Sequence, residues 1–274
     1  MKRPTLRAVA KRGAAIVVLQ LLVVFAGCAD RLLLFPTRDA IPAGRDLERR
    51  EIATPDGALE VWVAQSRPGL SPDTYVLAFD GNGGRAEYCA RSVAALFADR
   101  SVEVWAMNYP GFGGSSGDAE LSSMAPSGLA AHDALLRRTG GSPVVVYGNS
   151  IGGTVALHVA ASRPVGGVVL QNPPPLRRLI LQRHGWWNLW LIAIPVALSV
   201  PSDLDAVESA AQAHAPCVFV TGSADDMVPP SYQDRVFDAY AGPKHRLFTA
   251  AGHNDSLPRT TIDEIRAAAA QFIK

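Results

Sequence analysis

Residues 144–156 read Val-Val-Val-Tyr-Gly-Asn-Ser-Ile-Gly-Gly-Thr-Val-Ala. Val144–Tyr147 is a continuous, largely β-branched apolar run, the pattern of a strand buried on both faces. Thr154–Ser162 has the composition of a helix. Between them Gly148-Asn149-Ser150-Ile151-Gly152 has the form G-x-S-x-G. Strand, sharp turn and helix in that order hold a serine hydroxyl exposed above a sheet edge, at a helix N-terminus. Gly148, Gly152 and Gly153 remove side chains that would collide in such a turn. A second stretch, Gly113-Gly114-Ser115-Ser116-Gly117, has the same form. It lies in a glycine-rich loop, and Asp118-Ala119-Glu120 after it starts no helix. Ser115 is therefore expected to be a loop serine.

Outward from this stretch, apolar runs alternate with helical patterns. Arg49–Ala53 and Leu59–Gln65 flank the turn signal Thr54-Pro55-Asp56-Gly57 and read as a hairpin. Tyr75–Asp80, Val102–Met107, Val165–Leu170, Cys217–Thr221 and Leu247–Thr249 read as strands. Helical patterns over Glu87–Asp99, Leu121–Thr139, Ser231–Tyr240 and Ile262–Ile273 separate them. This rhythm predicts an α/β fold with a mostly parallel sheet flanked by helices. It breaks at 172–202, which opens on Pro173-Pro174-Pro175 and carries Trp186, Trp187 and Trp190. That segment reads as a short apolar cap inserted over one end of the sheet.

A serine hydroxyl alone is a weak nucleophile and needs a base and a group to orient that base. In the elbow architecture these follow in the order acid, then histidine. Asp225 falls just past the strand Cys217–Thr221, and His253 just past the next strand. Ser150, Asp225 and His253 thus share the carboxyl edge of the sheet, where α/β ligand sites form. Asp226 is the alternative acid; the spacing from Gly222 favours Asp225. His132, His158, His184, His214 and His245 show no partner pattern. No Cys or His spacing points to a metal, and neither metal nor cofactor is expected. Cys89 and Cys217 read as separate core residues, with a disulfide between them as the alternative.

These residues give a resemblance. Across Leu47–Lys274 the chain is similar to the α/β-hydrolase superfamily. Beyond the three residues above, Asn108-Tyr109-Pro110-Gly111-Phe112-Gly113-Gly114-Ser115 matches the usual loop after the fourth strand. Within the superfamily it resembles membrane-associated serine hydrolases with an HGNGG-type oxyanion loop, here Asp80-Gly81-Asn82-Gly83-Gly84. The resemblance implies an oxyanion hole made by the backbone N–H groups of Asn82 and Ile151, with Gly81 as the fallback donor. Asp80 stands where the family usually has histidine. It is expected to turn away and accept from loop N–H groups, since a carboxylate aimed at the hole would repel the developing charge. Gly81-x-Gly83-x-x-Ala86 also fits a dinucleotide fingerprint, but Asn108 stands where that motif needs an acid. Tyr109, Trp187 and Trp190 are the candidates to line a substrate pocket. The expected activity is a serine hydrolase forming an acyl-enzyme on Ser150, with a small-molecule carboxylic ester as substrate. A thioester or peptide bond would use the same parts. A non-catalytic binding protein on this fold is the alternative of another class.

The N-terminus reads separately. Residues 1–27 hold five basic residues and no acidic one, and residues 13–29 are uncharged, with Gln20 the polar exception. A basic start followed by an apolar run is the export pattern. Phe25-Ala26-Gly27-Cys28 resembles a bacterial lipoprotein signal, with Phe25 where Leu, Val or Ile is usual and Cys28 as the lipidation site. An uncleaved anchor helix and simple secretion are the alternatives; all three place the rest of the chain outside the cytoplasm. The expected organisation is a signal segment 1–27, a linker 28–45 and one hydrolase domain 46–274. The remaining chain carries a net charge of −4, which argues against nucleic acid as a partner.

Overall fold

A computed structural model describes residues 13–18, 28–42, 44–186 and 190–273. Its centre is an eight-stranded sheet. The strands are β1 (Leu47–Thr54), β2 (Gly57–Gln65), β3 (Thr74–Phe79), β4 (Val102–Met107), β5 (Val145–Asn149), β6 (Gly167–Gln171), β7 (Cys217–Gly222) and β8 (Lys244–Thr249), in the order 1-2-4-3-5-6-7-8. β2 runs antiparallel to β1 and β4, and the remaining pairs are parallel.

Period-two alternation divides the interior into two cores. Val144 and Val146 enter one, with helices Leu121–Arg138, Ile151–Ser162, Ala206–Gln212 and Pro230–Ala239. Val145 and Tyr147 enter the other, with helices Ala86–Leu96 and Arg259–Ala269. Cys89 and Cys217 lie one in each core, and both are buried free thiols. The sheet separates them, so the disulfide is excluded. Burial raises both thiols well above the ordinary cysteine value.

The strand order places the site. The chain leaves β3 for β4 on one side and returns to β5 on the other. The loops after β3 and β5 therefore flank a crevice at the switch point, where a ligand can reach the strand ends. These are the loops of Asp80–Gly84 and Ser150.

Two parts differ from the reading of the sequence. Of residues 28–45, expected as a linker, the part from Cys28 to Asp39 packs against the domain. Helix Cys28–Leu33 is followed by a strap in which Leu34 is only 3% exposed. Gly113 N–H donates to the Thr37 carbonyl (2.8 Å), Arg38 donates to the carbonyls of Gly111 and Gly117, and Arg85 donates to that of Asp39. Helix Ala206–Gln212 was not anticipated. Asp205 caps it by accepting from the Val207 and Glu208 N–H groups.

The cap is formed by helix Leu176–Leu179, a π-helical turn Ile180–His184 and helix Ala193–Ser199. Ile180, Ala193, Val196, Ala197 and Val200 join the first core, so the inner side of the cap is ordinary packing. Among the described residues no helix is long and apolar enough to cross a membrane.

Candidate active site

β5 ends at Asn149 and a helix begins at Ile151, leaving Ser150 alone in the turn. Its backbone is left-handed, φ 52° and ψ −125°, a conformation that costs a side-chain-bearing residue on the order of 1–3 kcal/mol. Packing on both sides holds it there. Ser150 N–H donates to the Gln171 carbonyl on β6, and its own carbonyl accepts from Gly153 N–H, both at 2.8 Å. A Cβ on Gly152 would sit 2.2 Å from the Phe79 carbonyl oxygen, so only glycine lets the helix start this close to β3. The Ser150 side chain does not cap its helix. It faces the imidazole instead.

His253 Nε2 lies 2.9 Å from Ser150 Oγ, and His253 Nδ1 lies 2.7 Å from Asp225 Oδ2. Asp225 and His253 are both buried. The other Asp225 oxygen accepts from the N–H groups of Met227 (2.9 Å) and Val228 (2.7 Å). With a carboxylate on Nδ1, the neutral ring keeps its proton there and turns a lone pair toward the serine hydroxyl. Asp226 is exposed and stands outside this chain of contacts.

The loop after β3 completes the centre. Asp80 Oδ1 accepts from Gly81 N–H at 2.7 Å and from Asn149 Nδ2 at 3.3 Å. The carboxylate has folded back beneath its own loop, as its place in the turn suggested. Gly84 makes room for it, since a Cβ there would lie 2.5 Å from Asp80 Oδ2. Burial pushes the Asp80 carboxyl above its ordinary value, against the hydrogen bonds from Gly81 and Asn149. Gly81 N–H is thus engaged, which removes the fallback oxyanion donor. The Ile151 amide is first in its helix and has no acceptor within it. The loop lies against Ser150 at Gly81, where a Cβ would be 3.3 Å from that of Ser150, and Ile151 follows Ser150 at the positive end of the helix dipole, which favours an anion.

Three comparisons bear on this arrangement. A family model described as alpha/beta hydrolase fold matches residues 75–199. An esterase of Pyrococcus furiosus superposes with a TM-score of 0.68 at 16% identity, covering 88% of this chain and all of that one. An uncharacterized protein of Mycobacterium tuberculosis is 29% identical over 250 residues, 86% of this chain and 85% of its own.

The chain carries the α/β-hydrolase fold.

A further relative, an uncharacterized membrane protein of Saccharomyces cerevisiae, is 22% identical over 217 residues, 73% of this chain and 70% of its own.

Tyr109 and Trp190 are placed differently from expectation. Tyr109 is buried, and its hydroxyl donates to the Asp80 carbonyl at 3.4 Å. It braces the loop from within the core and does not wall an open pocket. Trp190 is on the exposed side of the cap, its indole N–H donating to the Leu181 carbonyl at 3.2 Å. Trp187 and the side chain of Cys28 lie outside the described residues. A cavity of about 360 Å³ beside the elbow is lined by Asp80, Cys89, Tyr147, Asn149 and Gln171, a size suited to a small ligand group.

Ser115 is 1% exposed; its hydroxyl accepts from Glu60 N–H (2.8 Å) and donates to the Asn108 carbonyl (2.7 Å). The second G-x-S-x-G is a buried loop closure. Asn108 Nδ2 donates to the carboxylates of both Glu60 (2.7 Å) and Glu87 (3.3 Å). Position 108 therefore offers no acid to a ribose, and the dinucleotide fingerprint has no counterpart here.

One supporting residue, Asn172, and one side-chain role, that of Asn82, were missed. Asn172, buried directly after β6 with φ 50°, accepts from Gly222 N–H at 2.8 Å and from Gln233 Nε2 at 3.3 Å. It fixes the end of β7 from which Asp225 projects. Asn82 uses its side chain as a staple: Oδ1 accepts from Phe35 N–H at 2.9 Å, and Nδ2 donates to the Leu33 carbonyl. A polar residue directly after a strand end was the available signal for Asn172.

Proposed function

We propose that this protein is an exported, membrane-anchored serine hydrolase that cleaves a carboxylic ester through an acyl-enzyme on Ser150. The observation that carries the reading is the unbroken chain from Asp225 Oδ2 through His253 to Ser150 Oγ, ending on a serine held in a strained turn.

Each residue then has a role. Ser150 Oγ attacks the acyl carbonyl while His253 Nε2 takes its proton. Asp225 holds the ring and stabilises the imidazolium. The N–H groups of Asn82 and Ile151 receive the oxyanion. His253 then protonates the leaving alcohol, and water, activated by the same ring, releases the acid. The likeness to an esterase fold supports ester as the substrate class, and the name of the yeast relative agrees with a membrane location. The basic start and apolar run of residues 1–29 support export and anchoring through Cys28.

A fluorophosphonate probe should label the wild type and leave Ser150→Ala unlabelled. The same variant should lose about 10⁴-fold or more in turnover of a p-nitrophenyl acetate assay. A wild type that neither reacts with the probe nor turns over the ester would overturn the reading.

A further inference from the structure

Helix Ala193–Ser199 is apolar on both sides. Ala193, Val196 and Ala197 face the core, while Ile194 and Leu198, four residues apart on the opposite side, are exposed, Leu198 by 75%. A surface helix normally turns charged or polar residues outward. The exposed surface continues onto a second element. Helix Cys28–Leu33 packs against helix Ala193–Ser199 and exposes Leu32, and the strap after it exposes Phe35 by 61%.

The position of this surface selects what covers it. The uncharged run of residues 13–29 joins the folded domain at Cys28, the first residue of the helix that packs on the cap. Under the anchoring reading above, a lipid on Cys28 or a retained run would hold the bilayer at this same end of the helix. The Phe35 amide, at the border of the surface, is bonded to Asn82 of the oxyanion loop.

We infer that Leu32, Phe35, Ile194 and Leu198 dock on the bilayer that holds the N-terminus, and that Ser150 thereby acts on esters of amphiphiles resident in that bilayer. The inference rests on the hydrolase and anchoring readings above and adds the orientation and the substrate class. A membrane-resident ester keeps its acyl chain in lipid until the carbonyl reaches the crevice, so the apolar face replaces a long acyl tunnel.

The test uses the full chain reconstituted in vesicles of phosphatidylcholine and phosphatidylglycerol. The wild type is compared with a Leu32→Glu/Leu198→Glu variant, both sites being exposed and outside the catalytic machinery. Brominated lipids should quench the exposed Trp186 and Trp190 of the wild type, Trp62 and Trp105 being buried in the domain, and quench those of the variant far less. Both proteins should sediment with the vesicles and hydrolyse p-nitrophenyl acetate equally. Hydrolysis of umbelliferyl oleate embedded in the vesicles should fall by about tenfold or more in the variant. Wild-type tryptophans that escape quenching, or a variant with wild-type quenching and oleate turnover, would overturn the docking while leaving the acetate activity and the anchor intact. If neither protein hydrolyses acetate, the hydrolase reading fails, and quenching alone still decides the docking. A wild type that stays in the supernatant removes the anchor and the docking together.

Discussion

Asn172 shows how a single buried amide can position the Asp225 turn without touching Asp225. Its Oδ1 accepts from the Gly222 N–H at the root of the Asp225 turn. Asn172→Ala leaves that amide unpaired and puts a Cβ-bearing residue, without the local hydrogen bonds of Asn, at φ 50°. The two effects together should cost about 2–4 kcal/mol in chemical denaturation. Asn172→Gly, which removes only the backbone part, should lie between this variant and the wild type. Equal stability of all three proteins would show that Gly222 finds another acceptor. The three residues of the triad were legible in the sequence because each ends a strand and their order is fixed by the elbow. Asn172 was not, because an Asn after a strand and before three prolines reads as loop punctuation. Its partner is 50 residues away.

At the scale of the element, helix Leu121–Arg138 has a cap supplied from outside itself. The side chain of its own N-cap residue, Glu120, accepts from none of its first backbone N–H groups. Asp30 Oδ1 accepts from the Leu121 N–H instead, at 2.8 Å. Asp30→Ala should therefore cost about 1 kcal/mol, with hydrogen exchange accelerated both in the first turn of this helix and in the strap Leu33–Asp39. Exchange confined to one of the two would mean that the contact does not couple them. Sequence periodicity found this helix but could not show its cap, which lies 91 residues upstream. The same reason made residues 28–45 read as a linker, since nothing in them alternates or repeats. Helix Ala206–Gln212 was legible in principle, because Asp205 with Glu208 three residues on is a capping pattern; its seven residues gave too short a period to detect.

For the whole molecule, the mostly parallel sheet flanked by helices followed from apolar runs between helical patterns. The cap was legible as the segment that breaks this rhythm, but its inner elements were not, since a π-helical turn and a trio of prolines have no periodic signature. One charge has consequences for the stability of the entire fold. Burial raises the Asp80 carboxyl above its ordinary value, so folding disfavours its ionised form. Its contribution is intact below the unfolded carboxylate value, near about pH 4, and is lost as pH rises through the raised native one. Asp80→Asn removes this titration. Between about pH 4 and about pH 7 the melting temperature of the variant should rise relative to that of the wild type. A difference that stays constant across that range would show that Asp80 titrates alike in the folded and unfolded chain.

The docked strap also sets where the chain can be shortened for expression. Position 46 follows the stretch that reads as a linker and is the natural place to begin a leaderless fragment. Such a fragment would lack Leu34 from the core and Asp30 from the Leu121 amide. It would also leave the Asn82 side chain, in the loop that faces Ser150, without the two backbone groups it binds. The same fragment begun at Cys28 retains all three. Trimming for solubility therefore has a boundary near Cys28: residues from Asp30 onward belong to the folded body.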